Sequence, residues 1–152
     1  MTPLFKKLNL KDHQEILVLS APDSMDPEVE ALEGVKVHRS ASRLKQVDFG
    51  IAFVTNDASL RKAVEAMLPK AEGDAVIWFA YPKKTSKKYK SDIDRDHGWE
   101  PVGEAGFEPV RQVAIDDDWS ALRFRRTSYI KTLKRNEAMR LSPEGRARSK
   151  AK

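Results

Sequence analysis

The chain is predicted to fold as a doubly wound, mostly parallel α/β sheet, closed by an antiparallel C-terminal hairpin and followed by a helical tail. Three observations predict this. The apolar runs EILVLSA (15–21), FGIAFVTN (49–56) and AVIWFAYP (75–82) have strand length and are continuous, as expected of strands buried on both faces. Helix-type patterns separate them, and strand–helix alternation builds a parallel sheet with helices on its faces. Near the end, VRQVAI and ALRFRR flank DDDWS, which is a hairpin pattern.

Each element has a local reason. Thr2-Pro3 starts a short helix with Leu4, Phe5 and Leu8 on one side, because Pro suits the first helical position. After the first strand, DPEVEALEG reads as a short helix capped by Asp26, with Pro27 at N1 and Gly34 as its stop. VKVHRS (35–40) alternates and makes a second strand. The helix after the third strand has the clearest pattern: Asn56 or Asp57 caps it, Leu60, Ala63, Val64, Met67 and Leu68 form a stripe, and Pro69 closes it. KKTSKKYK (83–90) is a basic loop. SDIDRDHGW is expected to open a helix, with its acids near the positive end, and Pro101, Gly103 and Gly106 keep that helix short. TSYIKTLKRNEAMRL is read as helical with Thr127 or Ser128 as cap, which divides the chain into a domain over 1–126 and a basic tail over 127–152.

Composition narrows the function classes. A length of 152 residues suits one self-sufficient core. No apolar run approaches the ~18 residues of a membrane span, and MTPLFKKLNL lacks the apolar stretch of a signal peptide, so a cytoplasmic location and no membrane partner are expected. With no cysteine, disulfides, thiolate metal sites and a Cys nucleophile are excluded. Charge is unevenly placed: 11 of the 28 Lys and Arg fall in residues 123–152 beside Glu137 and Glu144 alone, giving that end +9. Such a tail suits a polyanionic partner or simply a solvated arm.

In sheets of this class ligands sit beyond the carboxyl ends of the strands. The residues expected there are Ser20, Asp23, Ser24, Asn56, Tyr81, Lys83 and Trp119, and they are the candidate pocket lining. The turn after the first strand, SAPDS, contains no glycine, and Pro22 removes a backbone donor that a phosphate would use. Ser20, Ser24, Thr55 and Ser120 lie near strand ends, but none stands in a Gly-x-Ser-x-Gly elbow, so no catalytic residue is assigned. Asp92, Asp94 and Asp96 do not complete a calcium loop, since His97 and Gly103 occupy the places of its glycine and its bidentate glutamate. His13, His38 and His97 lack metal-ligand spacing. No metal and no cofactor are expected. The run Asp116–Asp118 is read as a hairpin turn, with the basic loop able to supply counter-charge. Lys83, Lys84, Lys87, Lys88, Lys90, Arg125, Arg126, Lys131, Lys134 and Arg135, with Tyr89 and Tyr129 among them, are the candidate polyanion contacts, since cations displace counterions from phosphates and aromatic rings stack on bases.

WFAYPKK, DIDRD and VAIDDDWSALRFRR resemble segments of an uncharacterised bacterial family, domain of unknown function 3052, over most of residues 2–126. That family has no established activity, so the resemblance implies kinship and fold. More widely, DFGIAFVTNDASLRKAVEAMLPKAEGDAVIWFAYP is similar to a strand–helix–strand segment of S-adenosylmethionine-dependent methyltransferases, which implies a Rossmann-like domain. Those enzymes carry a glycine-rich turn after the first strand and an acid at the end of the second. Here the turn is Ala21-Pro22-Asp23-Ser24, the second strand ends in His38-Arg39-Ser40, and the N-terminal part is shorter by about one strand–helix unit. The expectation is a reduced, non-catalytic relative that binds nucleic acid or an acidic protein through its basic loop and tail. The alternative is a diverged enzyme or small-ligand binder using the strand-end pocket. Oligomeric state is not legible.

Overall fold

The computed structural model describes residues 3–130. Among these, six strands form one sheet: β1 (Glu15–Leu19), β2 (Lys36–His38), β3 (Val47–Phe53), β4 (Ala71–Pro82), β5 (Phe107–Ala114) and β6 (Trp119–Arg126). Their order is β2-β1-β3-β4-β6-β5, parallel as far as β4 and antiparallel beyond it. Four short helices accompany them: α1 (Pro3–Lys7), α2 (Asp26–Glu30), α3 (Asp57–Met67) and α4 (Glu100–Glu104).

The central strand β4 shows why the sheet must be covered twice. Ile77, Phe79 and Tyr81 point to one face, and Val76, Trp78 and Ala80 to the other; all six are buried. On the first face α3 lays down Leu60, Ala63 and Met67, with Trp99, Val102 and Phe107 beside them. On the second face α1 and α2 contribute Leu4, Phe5, Leu8 and Val29. Trp78 Nε1 donates to the Leu8 carbonyl oxygen at 2.8 Å, which satisfies the buried indole and fastens α1 to the sheet. Asn9 takes a left-handed conformation (φ 66°) and ends α1, with the Leu10 N–H returning to the Phe5 carbonyl. Gly50 lets α3 approach β3 closely: a Cβ there would stand 2.5 Å from Met67 Sδ.

The capping expectation for α3 resolves to Asn56, whose side chain accepts from the Ser59 N–H at 2.8 Å while Ser59 Oγ accepts from the Asn56 N–H at 3.1 Å. At α2, Asp26 lies inside the helix after a turn of 3-10 helix (Asp23–Met25), and the cap position is Met25 with no side-chain cap. β4 begins four residues before its apolar run. Its register against β3 slips between Val47↔Ala71 and Phe49↔Val76, extruding Glu72, Gly73 and Asp74.

One element differs in kind. Residues 91–99 contain no helix; the helix starts at Glu100. Asp94 makes the difference, because its Oδ1 accepts from the Asp96 and His97 N–H groups at 2.9 and 3.0 Å and so offers the backbone a turn. At the far edge, β5 carries Pro109, which has no N–H, and its register against β6 shifts between Pro109 and Arg111. After β6, Thr127–Tyr129 form a 3-10 turn, and Thr127 and Ile130 are buried against the domain. The helix expected beyond Ile130 lies outside the described residues.

Candidate functional site

The carboxyl ends of β1, β3 and β4 share one edge of the sheet with the start of β6, since Pro82 pairs with Trp119. The loop after β4 is fastened there at both ends. The Lys83 N–H donates to the Asp118 carbonyl oxygen at 2.8 Å, Ser86 Oγ donates to Asp118 Oδ1 at 2.8 Å, and the Tyr89 N–H donates to Ser86 Oγ at 3.1 Å. At the other end, Ser91 Oγ and the Asp92 N–H both reach the Thr55 carbonyl oxygen, at 3.1 and 3.0 Å. Between these anchors lies a concavity of about 600 Å³ whose lining includes Asn56, Lys83, Lys84, Tyr89, Lys90 and Asp92. A smaller one, about 260 Å³, is lined by Tyr81, Lys83 and Gln112 among others.

Asp94 joins the two concavities. Burial tends to raise its carboxyl, but His97 Nδ1 at 2.9 Å, the Asp96 N–H and the Lys84 ammonium at 3.3 Å outweigh this and hold it at about 2. Burial pushes the Tyr81 phenol up from its ordinary value, against a hydrogen bond to Ser120, and its oxygen accepts from Gln112 Nε2 at 2.9 Å. A neutral phenol of this kind is a hydrogen-bonding group, not a base, near pH 7.

The other expected pocket residues are placed apart. Ser20, Asp23 and Ser24 are exposed at the end of β1 and line neither concavity. Ser20 is in the left-handed region (φ 57°), so this turn has a glycine-type backbone without a glycine. Met25 turns inward and is buried with Val18, Ile51 and Phe53. Trp119 is buried, 5.1 Å from Phe53 and 4.9 Å from Tyr89 between ring centroids, and its Nε1 has no partner among the described residues. At the end of β2, His38 Nε2 lies 3.4 Å from Glu15 and Arg39 lies 3.7 Å from Asp26.

The basic residues divide between the two ends of the sheet. Lys84, Lys87, Lys88 and Lys90 are exposed on the carboxyl-edge loop. Antiparallel pairing carries Arg125 and Arg126 to the amino end of β4, roughly 20 Å away at ~3.3 Å per residue. There Arg125 makes a two-pronged contact with Asp74 (2.9 and 2.6 Å), while Arg126 donates to the Ala71 carbonyl oxygen and lies over the Phe107 ring at 4.8 Å. Tyr89 packs on Trp119, and Tyr129 is exposed at the opposite end. Lys131, Lys134 and Arg135 lie outside the described residues. The aspartate run is met by its own turn: Asp116 Oδ1 accepts from the Asp118 and Trp119 N–H groups at 2.8 Å, and Asp118 is met by Ser86 rather than by a lysine. Among the described residues no group of three or more His, Cys, Asp or Glu is arranged to hold a metal ion, and no helix is long and apolar enough to cross a membrane.

Sequence reasoning did not find a further concavity, larger than these two. It lies at the amino ends of the parallel strands, measures about 1120 Å³, and has Asp12, Glu15, Asp48, Glu72 and Asp74 in its lining, with Lys36.

The sheet and its closing hairpin are those of a Rossmann-like, methyltransferase-like fold. The N-methyltransferase NodS from Bradyrhizobium japonicum WM9 superposes with a TM-score of 0.52 at 12% identity, over 81% of this chain and 92% of that one. The pyocyanin biosynthetic protein PhzM gives 0.53 at 10% identity, over 82% of this chain and 54% of PhzM. A SAM-dependent methyltransferase from Aquifex aeolicus gives 0.50 at 14% identity, over 82% and 88%. Identities this low establish the fold alone. No family model matches the chain, so the likeness to domain of unknown function 3052 gains no support, and no curated protein matches it.

Two outcomes are expected from this geometry. Replacing Ser20 by Gly should raise stability by about 0.5–1 kcal/mol, because relief of the left-handed strain exceeds glycine's extra chain entropy. Ser20→Val should lower it, and thermal melts showing both variants unchanged would contradict the turn. The second outcome concerns pH. A carboxyl at about 2 in the folded chain, against 3.8 ordinarily, stabilises the 91–99 turn above about pH 4. That contribution is lost as pH falls through about 2. The Asp96 and His97 amide resonances should therefore titrate near 2, and Asp94→Asn should abolish the step; a midpoint near 3.8 would show that the carboxylate is not held.

Proposed function

We propose that this chain is a non-catalytic binding protein on a reduced methyltransferase-like fold, and that it engages a polyanion, nucleic acid or an acidic protein, through the Lys83–Lys90 loop and the basic tail. The observation that carries this reading is the loop itself. The exposed lysines Lys87, Lys88 and Lys90, with Lys84 beside them sharing its ammonium with Asp94, are held on a segment anchored at both ends, so little further ordering is needed when an anion binds. The tail starts at the other end of the sheet. An extended chain covers ~3.3–3.6 Å per residue, so 131–152 can cross the roughly 20 Å to the loop and act as a second arm. The turn after β1 supports the non-catalytic part: Ser20 and Pro22 stand where backbone would approach a cofactor, Met25 is buried behind them, and β2 ends without a carboxylate.

Anisotropy with a labelled single-stranded oligonucleotide and with labelled polyglutamate tests this. Binding should weaken steeply with salt, and the K84Q/K87Q/K88Q/K90Q variant should lose about 3 from the slope of log K against log salt. Neutralising Lys131, Lys134 and Arg135 should flatten it further. Salt-insensitive binding, or none at micromolar protein, would overturn the proposal.

One observation favours a second reading. The 600 Å³ concavity has the size of a small-ligand site and lies where ligands bind in such sheets, with Asn56 and Lys83 in its lining. A diverged enzyme or small-ligand binder would show a calorimetric response to S-adenosylmethionine, its demethylated product or a nucleotide, and Lys83→Gln should weaken it. A flat response across that panel removes this reading.

A further inference from the structure

The acidic concavity at the amino edge belongs to neither reading. It is assembled from four separate parts of the chain: the approach to β1 (Asp12, Glu15), the start of β2 (Lys36), the start of β3 (Asp48) and the segment extruded from β4 (Glu72, Asp74). Five carboxylates face one lysine in its lining. Arg125 engages Asp74, Glu15 lies beside His38, and Asp48 accepts from Gln46 Nε2 at 2.6 Å. Asp12 and Glu72 have no ion-pair partner among the described residues. Like charges gathered around a hollow repel one another and are eased by a bound cation.

The position of the chain's exit says which cation. β6 runs towards this edge, Arg125 is already paired with a lining carboxylate, and Arg126 donates to Ala71, the residue before the extruded segment. In the turn after β6, the Tyr129 hydroxyl lies 3.9 Å from where a Cβ of Gly73 would stand, between the acids Glu72 and Asp74. The turn through which the described chain leaves β6 thus lies beside the extruded segment that lines the concavity. Residues 131–152 carry eight Lys and Arg against two Glu, with Leu133, Met139 and Leu141 interleaved. Val35, Leu44 and Ala75 line the same hollow and offer apolar surface to them.

We propose that the basic segment 131–152 docks in cis into the acidic concavity at the amino ends of the parallel strands. Tethering beside the concavity gives the segment a millimolar-scale effective concentration, so weak ion pairs suffice. Exposed pairs of this kind are screened beyond about 8–10 Å at physiological salt, which makes the docking salt-sensitive. The same segment is the second arm of the proposed polyanion site, so docking is read in the polyanion-free protein and a bound polyanion should release it. The loop lysines and the concavity lie at opposite edges, so the K84Q/K87Q/K88Q/K90Q variant separates the failure of one property from that of the other.

The chain has no cysteine, so a Ser142→Cys variant of the full chain accepts one nitroxide label at one place. The label should broaden the backbone amides of Gln14, Lys36, Asp48 and Glu72 at low salt, independently of protein concentration. Broadening should fall several-fold in 0.5 M salt and likewise in the labelled D12N/D48N/E72Q triple variant, whose substitutions are all at exposed positions. The salt titration needs no substitution beyond the label and stands even if the triple variant folds poorly. Broadening unchanged by salt, broadening centred on residues 83–90, or broadening that grows with protein concentration (a second copy's segment in the concavity) would each overturn docking in cis.

Discussion

The structure depends on β4 being apolar on both faces. A strand with Ile77, Phe79 and Tyr81 on one side and Val76, Trp78 and Ala80 on the other cannot lie at a solvent-facing surface, so helices must cover it twice and strands must flank it. The remaining architecture follows from that requirement. Gly50 and Met67 let α3 close one face, and the Trp78 indole holds α1 against the other. The antiparallel hairpin completes the pairing on the side where no further crossover occurs.

The same polarity sorts the charges. Parallel strands give the sheet two unlike edges, one where strands end and one where they begin. The lysine loop stands at the first, and five carboxylates from three segments gather with Lys36 at the second. Neither edge is of one sign: Asp92, Asp94 and Asp96 stand among the loop lysines, and Arg125 and Arg126 stand beside the carboxylates, so charge is matched locally at both ends.

How much of this was legible in the sequence depends on how local the cause is. The continuous apolar runs, the α3 stripe and the Asn56 cap each act within a few residues, and each was readable. The expected helix over 91–99 failed because Asp94 competes for backbone N–H groups, a contest that charge counting near a helix start does not weigh. The sequence around Ser20 shows only that the turn lacks a glycine, whereas its left-handed backbone shows that the turn keeps the shape and has changed the residue. Charge alone made the loop lysines and Arg125 and Arg126 equal candidates for a polyanion; antiparallel pairing of β4 with β6 sends Arg125 and Arg126 to the far end and gives them Asp74 and Phe107 as neighbours. The acidic concavity had no local signal, since its carboxylates come from stretches that are unremarkable one by one and meet only through strand register.

The outer strand β5 bears on how molecules of this protein can meet. An unpaired strand edge invites another chain to add itself, and repetition of that step produces fibrils. Pro109 removes one N–H from the strand, and the neighbouring register shift breaks the regular ladder that such stacking extends. Strand addition is therefore disfavoured along that stretch of the flank.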